Sequence, residues 1–349
     1  MQLHRITCAA LAVSLFGAGS VSAETVNLVF SHPNMAPGEE VYMYAVPLVM
    51  GYFADEGLEI NVQAASGGAQ AAQVVLSGAG DIATTMAEGV LQLRAQDADL
   101  TAFYEIKRYN GFAIGIPEGS ELASLADLVG HTIGFPVAGG GVQLIVDESF
   151  RLAGLEPNYT MVVTGAGAPA AAAINNHDVD AIVLWDAAFG ILENQGLSFN
   201  YIELGVQNEL AGMSLVASSD FLQEHRAAAV GYCRAMTRGL VFTLANPEAA
   251  IEMLFEVFPT TLAADIDHDV AVEQQVNILS KFVASALHNM PEGALMGEID
   301  PARWVATATR YSAAGILTSS DSDGAYDTSF AAECNDFDHA AVIAQAMAR

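Results

Sequence analysis

The chain has 349 residues, 52% of them hydrophobic and 15% charged, which excludes a disordered chain and a mini-protein held together only by disulfides. Twelve Lys and Arg against 41 Asp and Glu give a formal charge of −29. So acidic a surface argues against nucleic-acid and anionic-membrane partners, and a solubilising shell suited to salty surroundings explains it without any partner.

Met1 to Ala23 reads as a secretory leader. His4 and Arg5 supply the positive start, Ile6 to Phe16 the apolar stretch, and Val21-Ser22-Ala23 the small residues before a cleavage at Glu24. The apolar stretch is too short to span a bilayer. Cys8 lies too early to serve as a lipid-anchored export site, so the mature protein is expected to be soluble. Loss of Arg5 with the leader takes the formal charge from −29 to about −30.

Apolar runs then alternate with helical spacing. Val26 to Phe30 is a strand, followed by helical spacing from Val41 to Phe53 with Pro47 as a kink. Strand Leu58 to Ala64, helix Ala69 to Leu76, strand Asp81 to Met86, helix Glu88 to Ala95 and strand Leu100 to Ile106 come next. A second set begins near Asn110-Gly111: strand Phe112 to Ile116, a short helix Ala123 to Val129, strand Thr132 to Phe135 and helix Val142 to Leu152. Strand Thr160 to Val163, helix Ala168 to Asn175, strand Ala181 to Leu184, a helix to Asn194 and strand Tyr201 to Leu204 complete it. After Ser214 to Ala217 the chain is mainly helical: Asp220 to Leu244, Pro247 to Phe255, Val270 to Leu287 and Pro301 to Ala314. Alternation of this kind predicts parallel sheets with crossover helices. It divides the chain into a leader (1–23), a first lobe (24–107 and 209–349) and a second lobe (108–208), with crossovers near 105–112 and 205–213.

The passage Gly51-Tyr52-Phe53-Ala54-Asp55-Glu56-Gly57-Leu58-Glu59-Ile60 resembles the NMT1/THI5-like substrate-binding proteins of ABC transporters. Gly67-Gly68, the Gly78 to Ala83 passage, Leu125 to Gly134, Asp180-Ala181 and Phe221-Leu222 extend the resemblance over nearly the whole mature chain. It implies an α/β, type II periplasmic-binding-protein fold: two lobes with a ligand cleft between them. Relatives bind sulfonates, nitrate and thiamine-pyrimidine precursors.

Ligands of open α/β sheets lie beyond the carboxyl ends of the strands, where helix N-termini present unpaired amides. That rule selects Ser31 and Asn34, then Gly67, Gly68 and Gln70, then Thr84, Thr85, Met86 and Glu88. In the second lobe it selects Ala138, Gly139, Gly140 and Gly141, although flexible turns use the same small residues. Trp185 can stack on a flat solute and Asp186 can accept a hydrogen bond or face a cation. Packing on the next helix and helix capping explain the same two residues without a ligand. Tyr42 is a candidate aromatic wall, and ordinary core packing accounts for it equally. Lys107 and Arg108, at the first crossover, could reach an anion. Against the acidic background the preferred solute is neutral or zwitterionic, with a flat heterocycle or aromatic among the candidates.

Cys233 and Cys334 are an even pair in an exported chain and are expected to form a disulfide. No G-x-S-x-G, H-E-x-x-H or P-loop motif occurs, and single His residues such as His32 and His177 lack paired ligand spacing. Asp265, Asp267 and Asp269 begin like a calcium loop, but Val270 and Val276 stand where such a loop needs Gly and Glu. No cofactor, metal or catalytic residue is expected. The expectation is a periplasmic, monomeric binding protein that passes a small organic solute to an inner-membrane permease. A binder of a small oxyanion such as a sulfonate or nitrate is the alternative, and an exported enzyme the rival from another class.

Overall fold

The computed structural model describes residues 23–33 and 35–349, so residues 1–22 of the expected leader and Asn34 lie outside the described residues. Ten strands run in chain order: β1 (Glu24–Phe30), β2 (Leu58–Ala64), β3 (Ile82–Met86), β4 (Thr101–Lys107), β5 (Phe112–Pro117), β6 (Thr132–Phe135), β7 (Thr160–Val163), β8 (Ala181–Trp185), β9 (Phe199–Glu203) and β10 (Met213–Ala217). The longer helices are α1 (Gly68–Leu76), α2 (Ala87–Arg94), α3 (Gly140–Leu152), α4 (Ala168–Asn175), α5 (Asp186–Asn194), α6 (Arg226–Ala245), α7 (Pro247–Val257), α8 (His268–Ala286), α9 (Pro301–Ala313) and α10 (His339–Met347).

The strands form two five-stranded sheets, ordered β2-β1-β3-β10-β4 and β7-β6-β8-β5-β9. The chain leaves the first sheet after Lys107 and returns to it at Met213. Both sheets are mixed rather than parallel. β10 enters between β3 and β4 antiparallel to each, and β5 runs antiparallel to β8 and β9. The reason is connectivity: a strand that follows directly on a crossover starts at the edge where its predecessor ended, so it must run back the other way.

Burial follows the pleat and the helix period. β4 is buried along its whole length because helices cover both of its faces. α6 is buried almost all round, and its small residues make that possible. A side chain at Gly239 would collide with the Tyr42 carbonyl and Pro47, so only glycine admits the turn Val41–Ala45 against α6. Cys233 of α6 is bonded to Cys334 with their Cα atoms 5.2 Å apart, fixing the tail to the same core. A second apolar cluster runs from Val29 and Ala83 of the first sheet through Trp304 of α9 to Ile114 and Ile133 of the second. It is the packed spine behind the gap between the sheets.

Three expected elements differ. The expected helix Val41 to Phe53 is broken: a π-turn at Val41–Ala45 precedes the short helix Val46–Val49, and Gly51 at φ +75° separates that from Tyr52–Asp55. Pro47 carries no N–H, so the hydrogen-bond register cannot run through it unchanged. The expected short helix Ala123 to Val129 is a series of turns. Asp127 Oδ2 accepts from the Ala123 amide (3.1 Å) and the Ser124 hydroxyl (2.7 Å), and these side-chain bonds displace a helical ladder. The expected single helix Asp220 to Leu244 is split at His225 into Ser219–Glu224 and α6.

The crossovers are tied together by buried polar groups. Glu105 accepts from Arg303 (3.0 Å) and from the Gly212 amide (3.1 Å). Gln207 exchanges hydrogen bonds with the Phe112 backbone, accepting from N–H at 3.2 Å and donating to the carbonyl at 2.6 Å. Burial pushes the Glu105 carboxyl up, and the Arg303 guanidinium pulls it back down.

Candidate functional site

A cavity of about 550 Å³ opens where the two sheets face each other. Its wall gathers the carboxyl ends of parallel strands from both: His32 after β1, Met86 closing β3, Lys107 closing β4, Gly141 after β6 and Trp185 closing β8. Phe112 and Met213 are present because their antiparallel strands begin at that same edge. Phe282 of α8 and Tyr311 of α9 close it from the C-terminal half. The placement is the one open α/β sheets use for ligands. A larger hollow of about 650 Å³ lies behind, between α3 and α9. Its charged groups satisfy one another, with Glu148 bonded to Arg151 (2.5 Å) and to Arg310 (3.2 Å).

Of the residues expected at the site, Met86, Glu88, Gly141 and Trp185 line the cavity. Trp185 is 36% exposed, so its ring is available to a solute. Asp186 sits just behind, buried, with Oδ2 2.5 Å from Lys107 Nζ. That pair joins the end of β4 to the start of α5, and Lys107 Nζ also stands 4.3 Å over the Phe282 ring. Lys107 is thus engaged rather than waiting for an anion, and Arg108 is likewise 3.5 Å from Glu105.

The other expected residues do not line the cavity. The Thr84 hydroxyl accepts from the Ser31 amide (3.1 Å), pinning the loop after β1. A Cβ on Gly68 would strike Thr85, so that glycine admits α1 against β3. Gln70 accepts from the Ser66 amide (2.6 Å) across the turn beside Gly67. Gly139 and Gly140 take φ near +70°, turning the chain into α3, with Ala138 exposed beside them. Tyr42 is buried in the core, its ring 6.3 Å from Phe282.

Several cavity groups had no local signal. Glu39 and Glu40 are buried and flank His32: Nε2 is 3.2 Å from Glu39 Oε1 and Nδ1 is 3.3 Å from Glu40 Oε1. Their donor atoms all lie within 4.8 Å, a grouping of the kind that can hold a metal ion among the described residues. Six or seven intervening residues, several of them in an irregular loop, hide that proximity from any spacing rule. Burial, and then the neighbouring Glu39 carboxylate, push the Glu40 carboxyl up to about 8 against a smaller downward pull from His32. Burial also raises Glu88, whose carboxylate stands beside Gly141 and Tyr311 at the start of α3.

Among the described residues, the chamber is largely apolar with a few acidic, basic and amide groups on its wall. Among curated proteins, the chain is 23% identical over 251 residues to a formylaminopyrimidine-binding protein of Halalkalibacterium halodurans, covering 66% of this chain and 70% of that one. It is 24% identical over 285 residues to the riboflavin-binding protein RibY of Chloroflexus aurantiacus, covering 81% and 79%. Among solved structures, the periplasmic aliphatic sulphonate binding protein SsuA of Escherichia coli superposes with a TM-score of 0.63 at 17% identity, covering 85% of this chain and 89% of that one. Residues 42–250 match the family described as NMT1/THI5 like, and with more than half of its length inside that match the chain belongs to this family.

Proposed function

We propose that the protein captures a small organic solute between two lobes, 24–107 with 209–349 and 108–208, and delivers it unchanged to an ABC importer. The observation that carries this reading is the 550 Å³ cavity walled by the facing strand ends of both sheets. A solute that touches both walls favours the closed arrangement by its differential affinity. Its release, not a bond made or broken, completes the cycle. The leader expected at 1–23 supports a setting outside the cytoplasm, in the periplasm, and the relatives' names support a binding rather than a catalytic role.

The test is a thermal-shift panel of heterocycles, amines, amides, sulfonates and carboxylates on the purified mature protein. A solute present at a hundred times its Kd raises stability by about 2.7 kcal/mol by mass action. A melting temperature unmoved by every class, or catalytic turnover of one of them, overturns the reading.

A further inference from the structure

Three side chains on the cavity wall carry buried oxygen atoms with no hydrogen-bond partner: Glu40 Oε2, Glu88 Oε2 and Asn110 Oδ1. The Asn110 amide can turn over and present N–H instead, and the Glu40 carboxyl, pushed up to about 8, keeps a proton it can donate, so the weight falls on Glu88. Buried polar atoms left unpaired are costly, and the few that persist in a folded protein call for an explanation. The Glu88 carboxylate borders the chamber, and the cations on its wall are already engaged. Lys107 is paired with Asp186, and His32 lies between Glu39 and Glu40.

We propose that the solute is a cation rich in N–H donors, an ammonium, amidinium or protonated aminoheterocycle, received by Glu88 with its apolar body against Trp185 and Phe282. The inference rests on the two-lobe binding reading and narrows its ligand class. An anion would face the unpaired Glu88 carboxylate directly. A neutral solute would leave it an acceptor without a compensating charge. Aromatic faces complement a cation as well as a flat body, and Trp185 offers the more exposed of the two rings.

The experiment is equilibrium dialysis of the mature protein, read by native mass spectrometry, against size-matched trios: benzamidine, benzamide and benzoate, and tryptamine, indole-3-acetamide and indole-3-acetate. The cation of a trio should be retained and its neutral and anionic partners lost. Glu88→Gln should weaken that retention by roughly tenfold or more while leaving the circular dichroism spectrum of the unliganded protein in place. Trp185→Ala, at an exposed position, should also weaken retention and provides the second reading if the first variant fails to fold. Retention of the amide or the carboxylate in preference overturns the inference and leaves two-lobe capture standing. So does a cation held equally well by both variants. Retention of no member overturns this ligand class, and the broader panel above then decides separately whether the protein captures any solute.

Discussion

Glu40→Gln isolates what the buried carboxyl beside His32 does to stability. In the fold its pKa is raised from 4.5 to about 8, chiefly by burial. The folded state therefore keeps the proton to higher pH than the unfolded chain does. The stability this confers is complete below pH 4.5 and is lost as pH rises to about 8. At 1.36 kcal/mol per pKa unit, the loss between pH 5 and pH 8.5 is on the order of 4 kcal/mol. Glutamine is neutral at every pH and copies the protonated shape, so the variant should escape that loss. Glu39 and His32 face the same group and are present in both proteins. Urea unfolding at the two pH values should show near-equal midpoints at pH 5. At pH 8.5 the variant's midpoint should be higher by roughly 1 M or more. Parallel profiles would mean that Glu40 is ionised and fully compensated by His32 throughout, and the desolvation argument would be wrong. A variant that loses ground as pH rises would reverse its sign.

Removing the disulfide with Cys233→Ala and Cys334→Ala frees a loop of 101 residues. Chain entropy assigns that closure about 4.7 kcal/mol, or roughly 7 °C in melting temperature for a chain of this size. A loss below about 1 kcal/mol in calorimetry would show that the unfolded chain is not constrained there. Gly212→Ala drives a Cβ into the Lys107 carbonyl where the outgoing and returning crossovers touch. It should cost roughly 3 kcal/mol in denaturant titrations. Gly205→Ala, with open space around it, is the control and should change stability by less than about 1 kcal/mol. Equal effects at the two positions would refute the contact at the crossover.

Strand and helix periods made most of the fold legible. β2 and α4, for example, form where alternation and helical spacing put them, because one face of each must be covered. What failed to show were features set by a single competing bond or by connectivity. Pro47 loosens a helix that its neighbours' spacing supports, and Ser124 with Asp127 holds turns where the apolar pattern allows a helix. The direction of β10 depends on where the chain re-enters the first sheet, a fact no window of sequence contains. At the site, the rule of strand ends placed Met86, Glu88, Gly141 and Trp185 on the wall, since each lies within a few residues of its strand. Phe282 and Tyr311 arrive from helices nearly a hundred residues or more further on, and only the packing of α8 and α9 brings them there.

The Lys107–Asp186 pair decides more than its own stability. Its partners come from different sheets, and each would be costly to leave alone in so buried a place. Together they cancel, which withdraws from the cavity the cation that an oxyanion would have sought. Helix N-termini remain nearby, at α2, α3 and α5, and in isolation they would welcome negative charge. Here the chain has set acidic side chains of its own beside them: Glu88 in the first turn of α2 and next to Gly141 of α3, and Asp186 in the first turn of α5. The helix ends are thereby answered from within the protein. An incoming anion would have to displace or share with those carboxylates, whereas an incoming N–H cation meets the Glu88 oxygen that nothing else in the chamber satisfies. It is this local pairing, more than the acidity of the whole surface, that sets the sign of the solute, because surface charges farther than about 8 Å are largely screened at physiological salt.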